Sequence, residues 1–134
     1  MKTIGIWLDK EKAYIITTGK EQEEIQTVFS EIETYHILGG SGTRFKGGPQ
    51  DVVQDKKYLE REKNQFKAYF KKLLPYITDA NKVALFGPAE TAEKLYKDLK
   101  ENHPILFKKV EEIKKVDSMT ENQMKALVRD YFNK

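Results

Sequence analysis

A glycine-rich stretch with two cations is the part of the sequence best suited to bind another molecule. Five of the eight glycines fall between Gly39 and Gly48. Glycine lets backbone N–H groups approach a ligand closely, and a guanidinium offers a planar fork that matches phosphate. We therefore predict that this stretch binds a polyanion. The candidate residues are Gly39, Gly40, Ser41, Gly42, Arg44, Phe45 and Lys46.

Positive charge is concentrated around this stretch. Between Ile37 and Lys72 the sequence has nine Lys or Arg and four Asp or Glu, a local charge of +5, whereas the whole chain carries +3. Such a sector favours a polyanionic partner such as RNA, and the alternative is a solvated, lysine-rich helix face. For Lys67 and Lys71 the solvated face is the preferred interpretation. The cations of this track are Lys56, Lys57, Arg61, Lys63, Lys67 and Lys71.

Metal chemistry and nucleophilic catalysis have little support in the sequence. The chain has no cysteine, and its two histidines, His36 and His103, are far apart, so neither a zinc site nor a Ser-His-Asp set is indicated. Asp9 ends a predicted strand, where a ribonuclease-H-like nuclease holds a metal-binding carboxylate, but no further carboxylates stand at other strand ends. We interpret Asp9 as a turn residue and expect neither a metal nor a cofactor.

Length and composition indicate one intracellular domain. A chain of 134 residues is long enough for a single core, so we expect one domain over residues 1–134. The lack of cysteine fits a reducing cytosol. The N-terminal apolar run is too short for a membrane span or a signal peptide, so we expect a cytoplasmic protein without a membrane partner.

Hydrophobic patterning predicts three strands and then a long helix. Residues rich in β-branched and aromatic types at 3–8, 12–18 and 23–29 predict a three-stranded meander, with a weak continuation of the third strand through Ile32 and Thr34. After the glycines, we expect a helix from Asp51 to about Leu74. Pro75 should break or kink it, and residues 78–81 should form a loop. Its apolar stripe consists of Leu59, Phe66, Phe70, Leu73 and Ile77.

The second half of the sequence alternates between strands and helices. Residues 82–86 form a continuous apolar run that predicts a strand at the centre of the sheet. Pro88 is suited to the first turn of the next helix. A strand over 110–116 and a last helix capped by Ser118 or Thr120 follow. The order βββ-loop-α-β-α-β-α predicts an α/β (α+β) fold with a mixed sheet of about five strands and three helices.

In this order, the elements resemble the middle domain of the archaeal and eukaryotic peptide-chain release factor, of its relative Pelota, and of their bacterial counterparts. The resemblance covers nearly the whole chain and lies in the order and spacing of short motifs. It implies a fold of the ribonuclease-H-like or translational-machinery-component type. The matching pieces are Ile4–Leu8, Gly39-Gly40-Ser41 with Arg44-Phe45, Tyr58–Leu74, Val83–Gly87 and Ile113–Asp117.

The resemblance implies work on the ribosome, with one departure. Release factors carry Gly-Gly-Gln in this loop, which positions water for ester hydrolysis, whereas Ser41 follows the glycine pair here. Pelota lacks the motif and helps to rescue stalled ribosomes. Gln50 follows Gly47-Gly48-Pro49, which we regard as a coincidence because proline fixes φ and removes a donor. Were hydrolysis retained, the candidate residues would be Gly39, Gly40, Ser41 and Gln50.

Three functions are therefore open from the sequence. The first is a non-catalytic factor that binds the ribosome or tRNA and acts in rescue, stalling or dormancy. The second is a peptidyl-tRNA hydrolase with an altered loop. The third is a protein-interaction module that has lost RNA binding. Nothing in the sequence corresponds to the flanking codon-reading and partner-binding domains of the family, so a separate protein partner is a further candidate.

Overall fold

The described part of the chain contains five strands and four helices. This computed structural model describes residues 2–18, 23–32, 49–88 and 90–133, and for 49–58 it describes the backbone but not the side chains. The strands are β1 (Thr3–Leu8), β2 (Lys12–Thr17), β3 (Glu24–Phe29), β4 (Lys82–Gly87) and β5 (Val110–Lys115). The helices are α1 (Pro49–Asp79), α2 (Thr91–Asn102), α3 (Pro104–Phe107) and α4 (Glu121–Phe132).

The strands form one mixed sheet in the order β3-β2-β1-β4-β5. The pairs β1–β2 and β2–β3 are antiparallel, whereas β1–β4 and β4–β5 are parallel. The predicted class is confirmed. The prediction that 82–86 is the central strand is wrong by one position, because β1 occupies the centre and β4 lies beside it. The short helix α3 was not predicted.

Alternation along the inner strands divides the core between the two faces of the sheet. On one face, Ile4, Ile6 and Leu8 of β1 pack with residues of α1 and α2. On the other face, Trp7 packs with Met124 and Val128 of α4. Successive side chains of a strand point to opposite faces, so a strand that is apolar throughout requires cover on both sides. The expectation that Trp7 lies in the core is confirmed.

Helix α1 continues through Pro75, contrary to the predicted break. Pro75 is exposed, whereas Leu73 and Ile77 on either side of it are fully buried. A proline frees the carbonyl four residues earlier, and on a solvent-facing position water can satisfy that group. Packing of the buried face therefore keeps the helix intact to Asp79. The predicted loop is shortened to Ala80 and Asn81.

One member of the predicted apolar stripe of α1 is not part of the core. Phe66, Phe70, Leu73 and Ile77 are buried, as predicted, but Leu59 is 58% exposed. Leu59 stands two helical turns before Phe66 and is not among the described residues that form the core cluster. The periodicity therefore gave the correct face of the helix, but not the length over which that face is covered.

The ends of the later helices agree only in part with prediction. Thr120 caps α4 with a capping box, because its hydroxyl accepts from the backbone N–H of Gln123 and its own N–H donates to the Gln123 side chain. Helix α2 starts at Thr91, so Pro88 lies before its first turn.

The strand β3 ends at Phe29 and does not continue through Ile32; Thr34 lies outside the described residues.

We expect Gly87→Ala to destabilise the fold by about 1–3 kcal/mol, the range for overpacked sites. A Cβ at this position would lie 2.5 Å from the carbonyl oxygen of Leu8 and 3.2 Å from the Cβ of Ala92. The first contact is with backbone, which a rotamer change cannot relieve. Urea unfolding at equilibrium measures the change. A variant as stable as the wild type would show that the end of β4 has more room than the structure gives it.

Candidate nucleic-acid interface

Helix α1 is fixed across the sheet at the carboxyl end of β1. The hydroxyl of Tyr69, which is fully buried, donates to the backbone carbonyl of Asp9 over 3.0 Å. Burial, and to a lesser extent the charge of Asp9, raise the pKa of the Tyr69 phenol, so it remains a neutral donor. Two helical turns before Tyr69, Glu62 Oε2 lies 2.6 Å from Lys10 Nζ. These contacts orient the N-terminal half of α1.

The chain that leaves β3 towards the glycine-rich stretch is also attached to α1. Lys72 Nζ donates to the backbone carbonyl of Phe29 over 3.0 Å and to Glu31 Oε1 over 2.8 Å. The Lys72 ammonium lowers the pKa of the Glu31 carboxyl through this hydrogen bond. Ser30 is buried and donates its hydroxyl to the carbonyl of Lys10 over 2.6 Å. Residues 29–31 are therefore held in place beside the helix.

The N-terminal part of α1 extends beyond the last contact with the sheet that the described residues show. Pro49 begins the helix thirteen residues before Glu62, which corresponds to about 20 Å along the axis at a rise of 1.5 Å per residue. The backbone of Lys56 and Lys57 belongs to this segment, and Arg61 follows with an exposed side chain. The sequence of this segment thus adds cations to the start of the helix.

A stripe of lysines continues along the helix. Lys63, Lys67 and Lys71 are exposed and four residues apart, so they lie on one face of α1. Within the described residues, none of the three makes an ion pair. Lysines that repeat along one face without an acidic partner in the described part of the chain are available to an anionic partner.

The lysine stripe borders a groove between α1 and α2. Leu59, Phe66 and Phe70 form its floor. The α1 side consists of Glu62, Lys63 and Lys67, and the α2 side consists of Lys94, Lys97, Asp98, Glu101 and Asn102. We call this surface the α1–α2 groove. Its central cavity has a volume of about 310 Å³. Lys94 covers part of the floor, with Nζ 4.5 Å from the centre of the Phe66 ring.

Comparison with known proteins gives a fold but no sequence family. No family model and no curated protein matches the sequence. Among solved structures, Pelota of Archaeoglobus fulgidus superposes with a TM-score of 0.59 at 12% identity, over 96% of this chain and 31% of that one. An archaeal translation termination factor superposes with a TM-score of 0.50 at 12% identity, over 98% of this chain and 38% of that one.

This chain has a Pelota-like fold. The likeness extends over almost the whole chain, and the resemblance indicated by the sequence motifs is thereby confirmed at the level of fold. A third structure, described as an archaeal protein, superposes with a TM-score of 0.50 at 14% identity, over 98% of this chain and 37% of its own. The Pelota-like domain spans between 31% and 38% of the length of these three structures.

Most of the predicted site of the Pelota-like domain lies outside the described residues. This applies to Gly39, Gly40, Ser41, Gly42, Arg44, Phe45 and Lys46, and to His36. For Gln50, Lys56 and Lys57 the structure describes only the backbone, as part of α1, whereas the side chain of Arg61 is described and exposed. These residues remain predictions as a site.

Asp9 is a turn residue, as predicted. Its Oδ1 accepts hydrogen bonds from the backbone N–H groups of Glu11 and Lys12 over 2.8 and 2.9 Å. Within the described ranges, no group of three or more His, Asp or Glu side chains is placed to hold a metal ion. None of the helices there is long and apolar enough to cross a bilayer. His103 lies between α2 and α3, far along the chain from the other candidates.

Sequence analysis missed the contribution of α2 to the basic surface. The spacing of Lys63, Lys67 and Lys71 is visible in the sequence, but Lys94 and Lys97 come from a helix about thirty residues later. Only the packing of α2 against α1 places them across the groove. The signal that could have indicated this surface is Leu59, an apolar residue in a helical segment that is otherwise rich in charge.

We expect Tyr69→Phe to reduce the free energy of unfolding by about 1 kcal/mol, because it removes the hydrogen bond to Asp9. Tyr76→Phe is the matched control, since Tyr76 lies on the same helix, is half-buried, and has no hydrogen bond from its hydroxyl within the described residues. Urea unfolding of both variants measures the difference. Equal stabilities would mean that the Tyr69 hydroxyl does not contribute to the attachment of α1.

Proposed function

We propose that this Pelota-like domain is a non-catalytic factor that binds the ribosome or tRNA and acts in translation, in rescue, stalling or dormancy. The observation that carries the proposal is the superposition of 96% of the chain on Pelota with a TM-score of 0.59. A second structure with the same fold is a translation termination factor. The proposed contact consists of the glycine-rich stretch and the start of α1.

The charge distribution supports an RNA partner. The local charge of +5 between Ile37 and Lys72 contrasts with +3 for the whole chain. The start of α1 contains Lys56, Lys57 and Arg61, and this helix is attached through Tyr69 and Glu62. Phosphate contacts by such cations release counterions, which makes binding depend on salt.

One residue is the reason for proposing a factor without catalytic activity. Ser41 stands where the resemblance to release factors calls for glutamine, and a hydroxyl offers a shorter reach and one donor where an amide offers two. The hydrolase is therefore the competing function. A protein-interaction module without RNA binding is the third, and both are distinguished from the proposal by the two experiments that follow.

The first experiment is co-sedimentation of the protein with ribosomes over a salt series. We expect binding to weaken with salt, and the double variant Arg44→Ala/Lys46→Ala to bind less. Its slope of log affinity against log salt should be smaller by about 1.5–2, because two phosphate contacts are lost. The control is Lys108→Ala/Lys115→Ala, which removes two exposed cations that belong neither to α1 nor to the glycine-rich stretch. Absence of binding at low salt would exclude both ribosomal functions and favour the interaction module.

The second experiment tests hydrolysis directly. We expect the purified protein to release no peptide from peptidyl-tRNA on stalled ribosomes at concentrations that saturate binding. A catalytic role for the glycine pair would require release that disappears in Gly39→Ala/Gly40→Ala while binding persists. Such release would replace the proposed function with the hydrolase. The same assay with Ser41→Gln asks whether the amide alone restores activity to this loop.

A further inference from the structure

The α1–α2 groove has the properties of a binding site that the proposed RNA contact does not use. It continues at both ends into neighbouring cavities, because Phe66 and Lys94 also line a cavity towards Lys10, and Lys67 also lines one towards His103. From Leu59 to Lys71 the α1 side measures about 18 Å at 1.5 Å per residue, the length of about twelve residues of a second helix.

The floor of the groove is apolar and incompletely covered. Leu59 is 58% exposed, although it lies on the same helical face as Phe66 and Phe70, which are 8% and 4% exposed. Leu59 is not part of the core cluster, so its substitution should leave the core intact. Its side chain becomes buried only if something covers the groove. The apolar stripe of α1 is thus continued past the protein's own core into the groove.

The two walls differ in charge. On the α1 wall, Lys63, Lys67 and Lys71 have no ion pair within the described residues. Glu62 on this wall is paired with Lys10. The α2 wall has two lysines, Lys94 and Lys97, and two carboxylates, Asp98 and Glu101, whose charges balance. The Asp98 carboxylate accepts a hydrogen bond from Asn102 over 2.8 Å and has no cationic partner in the described part of the chain.

We propose that the α1–α2 groove binds an amphipathic helix of a partner protein, with its apolar face on Leu59 and its acidic flank against the lysines of α1. Three carboxylates line the groove, those of Glu62, Asp98 and Glu101, and they disfavour a nucleic acid, because a phosphate backbone there would lie next to them. An apolar face with acidic residues along one edge complements the lysines of α1, and an opposite edge of mixed charge complements the balanced α2 wall.

The proposal is tested with a displayed library of helical peptides about 16 residues long, selected on the full chain. We expect enriched peptides to share apolar residues at helical spacing with Asp or Glu on one flank. In fluorescence anisotropy, Leu59→Ser and Lys67→Glu should each weaken a selected peptide by about tenfold or more. Both residues are exposed, so the fold should tolerate the changes.

Matched controls distinguish binding in the groove from non-specific hydrophobic or electrostatic binding elsewhere on the surface. Ile105→Ser removes a large apolar side chain that is 75% exposed outside the groove, and Lys108→Glu reverses an exposed lysine outside it. Both should leave peptide affinity within about twofold. In addition, a Glu→Lys change at one acidic position of the peptide should weaken binding to the wild type and restore binding to Lys67→Glu, since the charges are exchanged across the contact.

Four results would overturn the proposal. They are a selection that yields no binder, a binder unaffected by Leu59→Ser and Lys67→Glu, displacement of the peptide by a uridine oligonucleotide with the same lysine dependence, and a concentration-dependent dimer that covers the groove. The third would assign the groove to RNA and the fourth to a second copy of this chain. Ribosome binding lost with Arg44 and Lys46 but retained in Leu59→Ser would leave the proposed function intact.

Discussion

The inner strands β1 and β4 bury both of their faces, and the rest of the domain depends on that requirement. Five of the six residues in each strand are buried, so one layer of helices could not remove them from water. The chain supplies α1, α2 and the short α3 to one face and α4 to the other. The outer strand β3 lies at the edge, where none of its residues is buried. Among the described elements, the sheet thus separates a thick face, with three helices and a groove, from a thin face with a single helix.

Much of this architecture could be predicted from local pattern, and the failures have physical reasons. Period-two and helical spacing gave the elements, their order and the buried face of α1. The break at Pro75 was wrong because a rule about free helices was applied to a helix held by Leu73 and Ile77 on its buried side. The centre of the sheet was misplaced because β1 and β4 are equally apolar. Only the strand order shows that β1 has two strands on each side. Leu59 was assigned to the core because periodicity carries no information on where the sheet ends.

The sequence predicted which residue types form the candidate site, but not how they are arranged in space. Glycine and cation content indicated the loop, and the charge count indicated the start of α1. The likeness to Pelota supports the fold in which that loop was expected, while the loop itself remains a prediction. The α1–α2 groove could not be predicted in this way, because its two walls come from helices that are distant in sequence. What the sequence does show is an excess of lysines on α1, and among the described residues Lys63, Lys67 and Lys71 make no ion pair; this excess is the common origin of both proposals.

The thin face has a consequence for how the domain can be observed. Trp7 is the single tryptophan of the chain, and it lies on the face that α4 covers, in contact with Met124 and Val128. Its indole N–H donates to the carbonyl of Val116 over 3.2 Å, in the segment that leads into α4. Tryptophan emission is therefore a local optical probe for the seating of α4, and it is separated by the sheet from the groove and from α1. When a ligand is titrated onto the thick face, the tryptophan fluorescence reports independently on whether α4 stays packed on the opposite face.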